Sequence, residues 1–289
     1  MKKVFIFLFA VMMSVSMSAE VLFTEDFTAG IGTPVESNNG WFTPYDGASG
    51  VSITNGLEFP GYVMSGVGNA VLLDGNCGQY QPHHTFAEVS QGSVYVAFMF
   101  QPSVVGKAGW FFCLRDAYSQ STFNYVARIH LSADGLLGLR FYKTAEAVFD
   151  ETMPLDGQNT YLVVLKYTIV EGDHNDQISL YAFDTMPSVE PATPLVGPLT
   201  DAQAPDICPQ NIVLRAFDAD SWLVLDGIRV ATTWQEAVAA FTSALTTASD
   251  TQSMDTRCYN ILGQPVSDSY HGLVIQRGSK YRRMRIFSL

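Results

Sequence analysis

Several groups of side chains in this sequence are of types that could do chemistry, and carboxylates come first. Hydrolysis of a glycosidic bond needs two of them roughly 5 to 9.5 Å apart across a cleft, and a single strand supplies such a pair when its acids alternate along one face. No ExDxE or ExDxxE arrangement is present. Asp218, Asp220 and Asp226 share one parity, but so do Trp222 and Val224, and Asp226 lies within an apolar strand. Asp150 and Glu151 are immediate neighbours and point to opposite sides of an extended chain. No GxSxG elbow, P-loop, HExxH or GxGxxG occurs, which removes the commonest hydrolase, nucleotide and zinc-protease chemistries. No catalytic residue is assigned.

Metal ligation is the second chemistry. His83 and His84 are adjacent, so in a strand their rings alternate across the chain and do not converge on one ion. Asp173, Asn175 and Asp176 offer hard oxygens to calcium. That cation takes about six to eight ligands, and this loop supplies at most half of them without the EF-hand spacing. A plain hairpin turn needs the same residues. Aromatic rings are the third group, since a sugar lies well on an exposed ring with a polar rim. Trp110 and Trp234 sit in apolar patterns that predict burial, leaving Trp41, Tyr45, Tyr80 and Trp222 as surface candidates for a ligand platform.

Four cysteines, Cys77, Cys113, Cys208 and Cys258, allow three complete pairings, and none of their spacings matches a zinc knuckle or a CxxC redox pair. Cys113 falls inside the apolar run Trp110 to Leu114 and is expected to be a buried thiol. Buried thiols or one structural disulfide are the expected uses of the set.

These groups must be positioned by a chain of 289 residues that is 47% hydrophobic and 15% charged, enough apolar material for a large core and too little charge for a disordered polyelectrolyte. The net charge of −12 argues against nucleic acid as a partner. Lys2 and Lys3, the apolar run from Val4 to Val15 and the small residues ending at Ser18 and Ala19 have the three parts of a secretory signal, with cleavage expected near Ala19. The apolar run is shorter than the ~20 residues that span a bilayer, and no later segment is as long, so no transmembrane span is expected after cleavage. A secreted or outer-surface location follows as an expectation.

From residue 20 to 240 the pattern is one of short β-type runs broken by Gly, Asn, Asp and Pro. Val94 to Phe100 (VYVAFMF) is continuously apolar, as expected of a strand covered on both faces. Tyr161 to Val170 and Ile178 to Ala182 flank an acidic tip and predict a hairpin. Thr233 and Glu236 have capping-box spacing, with Trp234, Val238 and Phe241 on one face of a single short helix. About a dozen strands and one helix predict an all-β fold, a two-sheet antiparallel jelly-roll sandwich over residues 20–241.

Composition then changes. Eight of the fifteen residues 242–256 are Ser or Thr, which predicts a linker. Residues 257–289 return to short strands with turns at Gly263, Gly272 and Gly278 and form a small β-hairpin-type module. Charge reverses as well: residues 20 to 250 carry 8 basic and 26 acidic groups, whereas 251 to 289 carry 6 and 2.

Two stretches resemble known families. The opening LFTEDF at Leu22, Gly40 and Trp41, VYVAFMF at Val94, the hairpin from Tyr161 and the closing VLDGIRVATTWQEAV from Val224 are similar, in that order, to the concanavalin A-like, laminin G-like jelly rolls of exported bacterial surface proteins. The tail, with Tyr259, Leu262, Gly263, Gly272, Gly278 and the basic strand containing Arg282 and Arg283, resembles the C-terminal sorting domain read by the type IX secretion system of Bacteroidota. The first resemblance implies binding to a polysaccharide or surface glycan. The second implies the secretion machinery as a partner of the tail. A non-catalytic glycan-recognition or adhesion module is therefore expected, with a structural envelope protein or a jelly-roll glycoside hydrolase or lyase as alternatives.

Overall fold

A computed structural model describes residues 19–38, 40–44, 49–74, 81–102, 109–117, 124–215 and 222–239, together with the backbone of 258–260, 265–266, 273–277 and 282–286. Residues 1–18 of the expected signal segment 1–19, the expected linker 242–256, and Tyr45, Cys77, Tyr80, Asp218 and Asp220 lie outside the described residues. The chain divides into two units, Met1–Phe241 and Thr242–Leu289.

The first unit runs in chain order through β1 (Val21–Glu25), β2 (Trp41–Phe42), β3 (Ser52–Thr54), β4 (Ala70–Leu73), β5 (His83–Thr85), β6 (Gly92–Pro102), β7 (Gly109–Arg115) and β8 (Val126–Leu131). It continues through β9 (Leu137–Arg140), β10 (Val148–Phe149), β11 (Tyr161–Ile169), β12 (Gln177–Phe183), β13 (Val196–Leu199), β14 (Asn211–Leu214) and β15 (Leu223–Ala231), followed by α1 (Trp234–Ala237). One sheet has the order β13-β12-β11-β6-β15-β4-β3, with β1 also paired to β15. The other has the order β10-β9-β8-β7-β14-β5-β2. The fold is the expected all-β antiparallel sandwich.

Alternation explains the continuous apolar runs. In β6, Val94, Val96, Phe98 and Phe100 face the core between the sheets, while Tyr95, Ala97 and Met99 face a second apolar layer on the outside of the eight-stranded sheet. β11 divides the same way, with Val163, Leu165 and Tyr167 inward and Leu162 and Val164 outward. Leu57, Phe59, Tyr62 and Met64 from one segment, and Trp234, Ala237 and Val238 from the helical end, complete this outer layer. The eight-stranded sheet is thus covered on both faces. The register of β15 against β6 shifts at a bulge after Asp226, where Gly227 adopts φ +58° and an added Cβ would lie 2.6 Å from Cβ of Met64.

The predicted hairpin forms as β11 and β12, paired from Leu162–Phe183 to Thr168–Gln177. The helix is shorter than the predicted 233–241: the Thr233 hydroxyl accepts the Glu236 N–H at 3.3 Å as the capping box requires, but α1 covers four residues. Arg229 pairs with Glu236 at 3.6 Å and also donates to its carbonyl oxygen.

The second unit is a four-stranded antiparallel sheet in the order β17-β16-β18-β19, made of β16 (Cys258–Asn260), β17 (Pro265–Val266), β18 (Leu273–Arg277) and β19 (Arg282–Ile286). Tyr259 lies in β16, and Arg282 and Arg283 in β19. Leu262, Gly263, Gly272 and Gly278 lie outside the described residues. Among the described residues, no helix is long and apolar enough to cross a membrane.

Candidate functional site on the seven-stranded sheet

The outer face of the seven-stranded sheet carries a different kind of layer, and two bulges create it. Across β7 and β8, Trp110 stands opposite His130, Phe112 opposite Ile129 and Leu114 opposite Val126, with the register breaking on either side of Phe112. The first break inserts Phe111 into β7. Phe111 and Phe112 therefore both turn into the core, where they stack on Phe100 and Phe98 with ring centroids 4.8 and 5.0 Å apart. The second break falls at Ala127, which holds φ +52° and donates its N–H to the Phe141 carbonyl at 2.8 Å. Such bulges re-aim the side chains beside them. Here they leave Trp110, Cys113 and Arg115 of β7 and Arg128 and His130 of β8 on the outer face.

Register carries that face across the neighbouring strands. Val213 and Asn211 of β14 stand opposite Cys113 and Arg115, His83 and Thr85 of β5 stand opposite those two, and Phe42 of β2 stands opposite His83. On the other side, Arg128 pairs with Arg140 of β9, and His130 with Gly138. Phe149 fills the space over Gly138, where an added Cβ would approach its ring to 2.6 Å, and its ring meets His130 edge-on at 6.2 Å.

The centre of the face is Trp110, which is half-buried. Arg215, following β14, places its guanidinium carbon 4.7 Å from the indole centroid, and Arg128 from the opposite neighbouring strand places its own at 5.5 Å. Arg128 Nε donates to the Tyr125 carbonyl at 3.0 Å. Arg140 donates to the carbonyls of Tyr142 and Lys143 at 2.9 and 2.6 Å. Arg115 lies 5.2 Å from the Tyr125 ring, which also meets His83 at 6.1 Å. Thr85 donates to the Asn211 side-chain oxygen at 2.8 Å, and the Asn211 amide donates to the Asp116 carbonyl at 2.7 Å.

The electrostatics are those of crowded cations. His130 is 8% exposed and its Nε2 has no hydrogen-bond partner among the described residues. Burial, and then Arg140, Arg128 and Arg215, pushes its ring down to about 4. Burial and Arg115 push His83 down to about 3, so both rings are neutral at neutral pH. Burial pushes the Cys113 thiol up to about 12, despite three arginines that pull the other way.

The residues singled out in the sequence fare unevenly. Trp41, expected at the surface, is a core residue at 4% exposure. It packs on Phe27 and on His84, and its Nε1 donates to Glu25 at 2.7 Å. Trp222 is exposed at 42%, immediately before β15. Trp234 is buried as expected, whereas Trp110, expected in the core, faces outward because of the bulge at Phe111. His84 turns inward onto Phe23 and His83 outward. Asp226 is fully buried and accepts the N–H groups of Leu57 and Gly227 at 2.7 and 2.5 Å, while burial pushes its carboxyl up to about 7. Asp150 caps its own turn by accepting from Thr152 and Met153.

At the acidic hairpin tip the strongest calcium candidate is engaged within the fold. Asp176 is buried and accepts the Tyr167 hydroxyl at 2.6 Å and the Val170 N–H at 2.8 Å, so both of its oxygens are engaged by protein donors. The Asn175 amide donates to the Glu171 carbonyl, and Asp173 is exposed. Among the described residues, no group of three His, Cys, Asp or Glu could hold a metal ion. Cys113 and Cys208 are free thiols. A groove of about 400 Å³ lies elsewhere, along β12, with Asp150, Thr152, Tyr181, Phe183, Pro191 and Leu195 in its lining.

No protein-family model matches this chain, and no curated protein matches it in sequence. Among solved structures, it is similar to the globular domain of T. cruzi calreticulin, at 13% identity over 76% of this chain and 91% of that one, with a TM-score of 0.44. It is likewise similar to the cellulose-induced protein Cip1, at 18% identity over 73% of this chain and 97% of that one, with a TM-score of 0.45. A third similar structure was described with the endo-acting O-glycanases of the human gut microbiota. That likeness is at 12% identity over 74% of this chain and 99% of the other, with a TM-score of 0.42.

Proposed function

We propose that this chain is an exported glycan-binding module whose ligand lies across the outer face of the seven-stranded sheet, centred on Trp110. The observation that carries the reading is the contrast between the two outer faces. The eight-stranded sheet is sealed by a second apolar layer, whereas on the seven-stranded sheet, where Cys113, Arg115, His83 and Asn211 are buried, a half-buried indole lies between two half-buried guanidiniums. A sugar ring is apolar on its C–H faces and polar around its rim. An indole with guanidinium N–H donors packed over it offers both kinds of surface.

Export is supported by the basic, apolar and small-residue segments of the first nineteen residues, and a surface or extracellular address by the tail's resemblance to a type IX sorting domain. The acids whose carboxyls burial raises, Glu25 and Asp226, are occupied by donors of the fold, which favours binding over hydrolysis.

The test is affinity electrophoresis of the full chain against a panel of plant, host and bacterial polysaccharides. Saturable retardation by one class is expected, weakened about tenfold or more in Trp110→Ala and unchanged in Trp222→Ala. Retardation by none of them overturns the reading in favour of an envelope scaffold.

A further inference from the structure

We infer that the glycan taken by this face is anionic, a polysaccharide whose carboxylate or sulfate groups are received by Arg128 and Arg215 on either side of Trp110. This rests on the glycan-binding reading and adds its charge.

The distribution of charge is the first argument. Residues 20 to 250 are strongly acidic, yet of their eight cationic side chains Arg128, Arg140 and Arg215 lie half-buried on or beside this one sheet face, Arg115 lies fully buried in the same strand as Trp110, and Lys143 follows β9. Two others, Lys166 and Arg229, are paired with Glu190 and Glu236. Lys107 lies outside the described residues.

The second argument is what these cations touch. Among the described residues, Arg128, Arg140 and Arg215 have no carboxylate partner. Their contacts are backbone carbonyls, the Trp110 ring and one another's fields. Partly desolvated like charges repel, and nothing described in the fold compensates them. An anionic ligand does, and a guanidinium offers a carboxylate or sulfate two parallel N–H bonds.

The third is His130. Its ring is more than nine-tenths buried, sits opposite Trp110 in the sheet and keeps Nε2 without a partner beside three arginines. A neutral imidazole at that point adds no like charge to the three arginines around it. Polynucleotides carry anions too, but the acidic remainder of the unit repels a long, uniformly charged duplex.

The experiment compares polygalacturonate, dextran sulfate and neutral dextran as probes for the full chain, in low and high salt. Binding to at least one acidic polymer is expected to be about tenfold or more tighter than to dextran and to weaken steeply with salt. Binding to polygalacturonate alone identifies the carboxylate, and binding to dextran sulfate alone the sulfate. Arg128→Gln and Arg215→Gln are each expected to lose about tenfold in affinity with unchanged far-ultraviolet circular dichroism. Should either variant fail to fold, Arg215→Lys keeps the charge, removes the planar fork and is expected to retain an intermediate affinity. Equal, salt-insensitive affinity for dextran and the acidic polymers overturns the inference while leaving glycan binding intact. Acidic-polymer binding that survives both Gln variants unchanged overturns the placement. Binding to no polysaccharide removes both the inference and the reading beneath it.

Discussion

Asp226 of β15 and Leu57, 169 positions earlier in the chain, are joined by a 2.7 Å hydrogen bond from the Leu57 N–H to Oδ2. The other carboxylate oxygen takes the N–H of Gly227, so one fully buried side chain satisfies two backbone donors. It thereby pins the 57–64 segment over the eight-stranded sheet. Asp226→Ala strands both donors away from water and is expected to destabilise the fold by roughly 2–5 kcal/mol. Denaturant unfolding with an unchanged m-value checks this. A loss below about 1 kcal/mol would show that water reaches the pair.

His130 gives a pH prediction with a definite sign. Its ring is held neutral in the folded protein down to about 4, against an ordinary value of 6.5, so between those values the unfolded chain binds the extra proton. Stability is therefore expected to fall as pH drops from about 6.5 toward 4. His130→Phe removes this contribution, and the gap between wild type and variant should shift by roughly 1–3 kcal/mol across that window. A gap independent of pH counts against a buried neutral ring.

The hairpin tip should be indifferent to calcium. With both Asp176 oxygens engaged by Tyr167 and Val170, adding calcium or a chelator is expected to leave the melting temperature unchanged. Tyr167→Phe, by contrast, removes a buried donor and leaves the carboxylate short of one bond, costing roughly 1–3 kcal/mol. A calcium-dependent rise of several degrees in wild type would reverse the assignment.

The sandwich was legible in the sequence because period-two burial is a local property. VYVAFMF, the 161–183 hairpin and the Thr233–Glu236 cap each carry their signal within a few residues. The site was not, for two physical reasons. The run Trp110 to Leu114 looks uniformly core-like, and only a bulge at Phe111, which follows from its fit against β8, turns Trp110 outward. The cations come from positions 115 to 215 and meet only through sheet register. The available hint was alternation in VARIHL, where Arg128 and His130 occupy the polar parity between Ala127, Ile129 and Leu131. Trp41 misled in the opposite direction. A tryptophan beside glycine and polar residues reads as surface, but Glu25 provides the buried acceptor that its indole N–H needs.

The place of β15 bears on when this unit can fold. It is the last strand of the first unit in sequence, yet it lies inside its sheet, bonded to β6 and β4 and also to β1. Until residues 223 to 231 have been synthesised, β13-β12-β11-β6 and β4-β3 are separate fragments and β1 has no neighbour. The sheet is completed from its middle by the last strand of its own unit to leave the ribosome. A chain built this way leaves the larger sheet of the first unit open through most of that unit's synthesis.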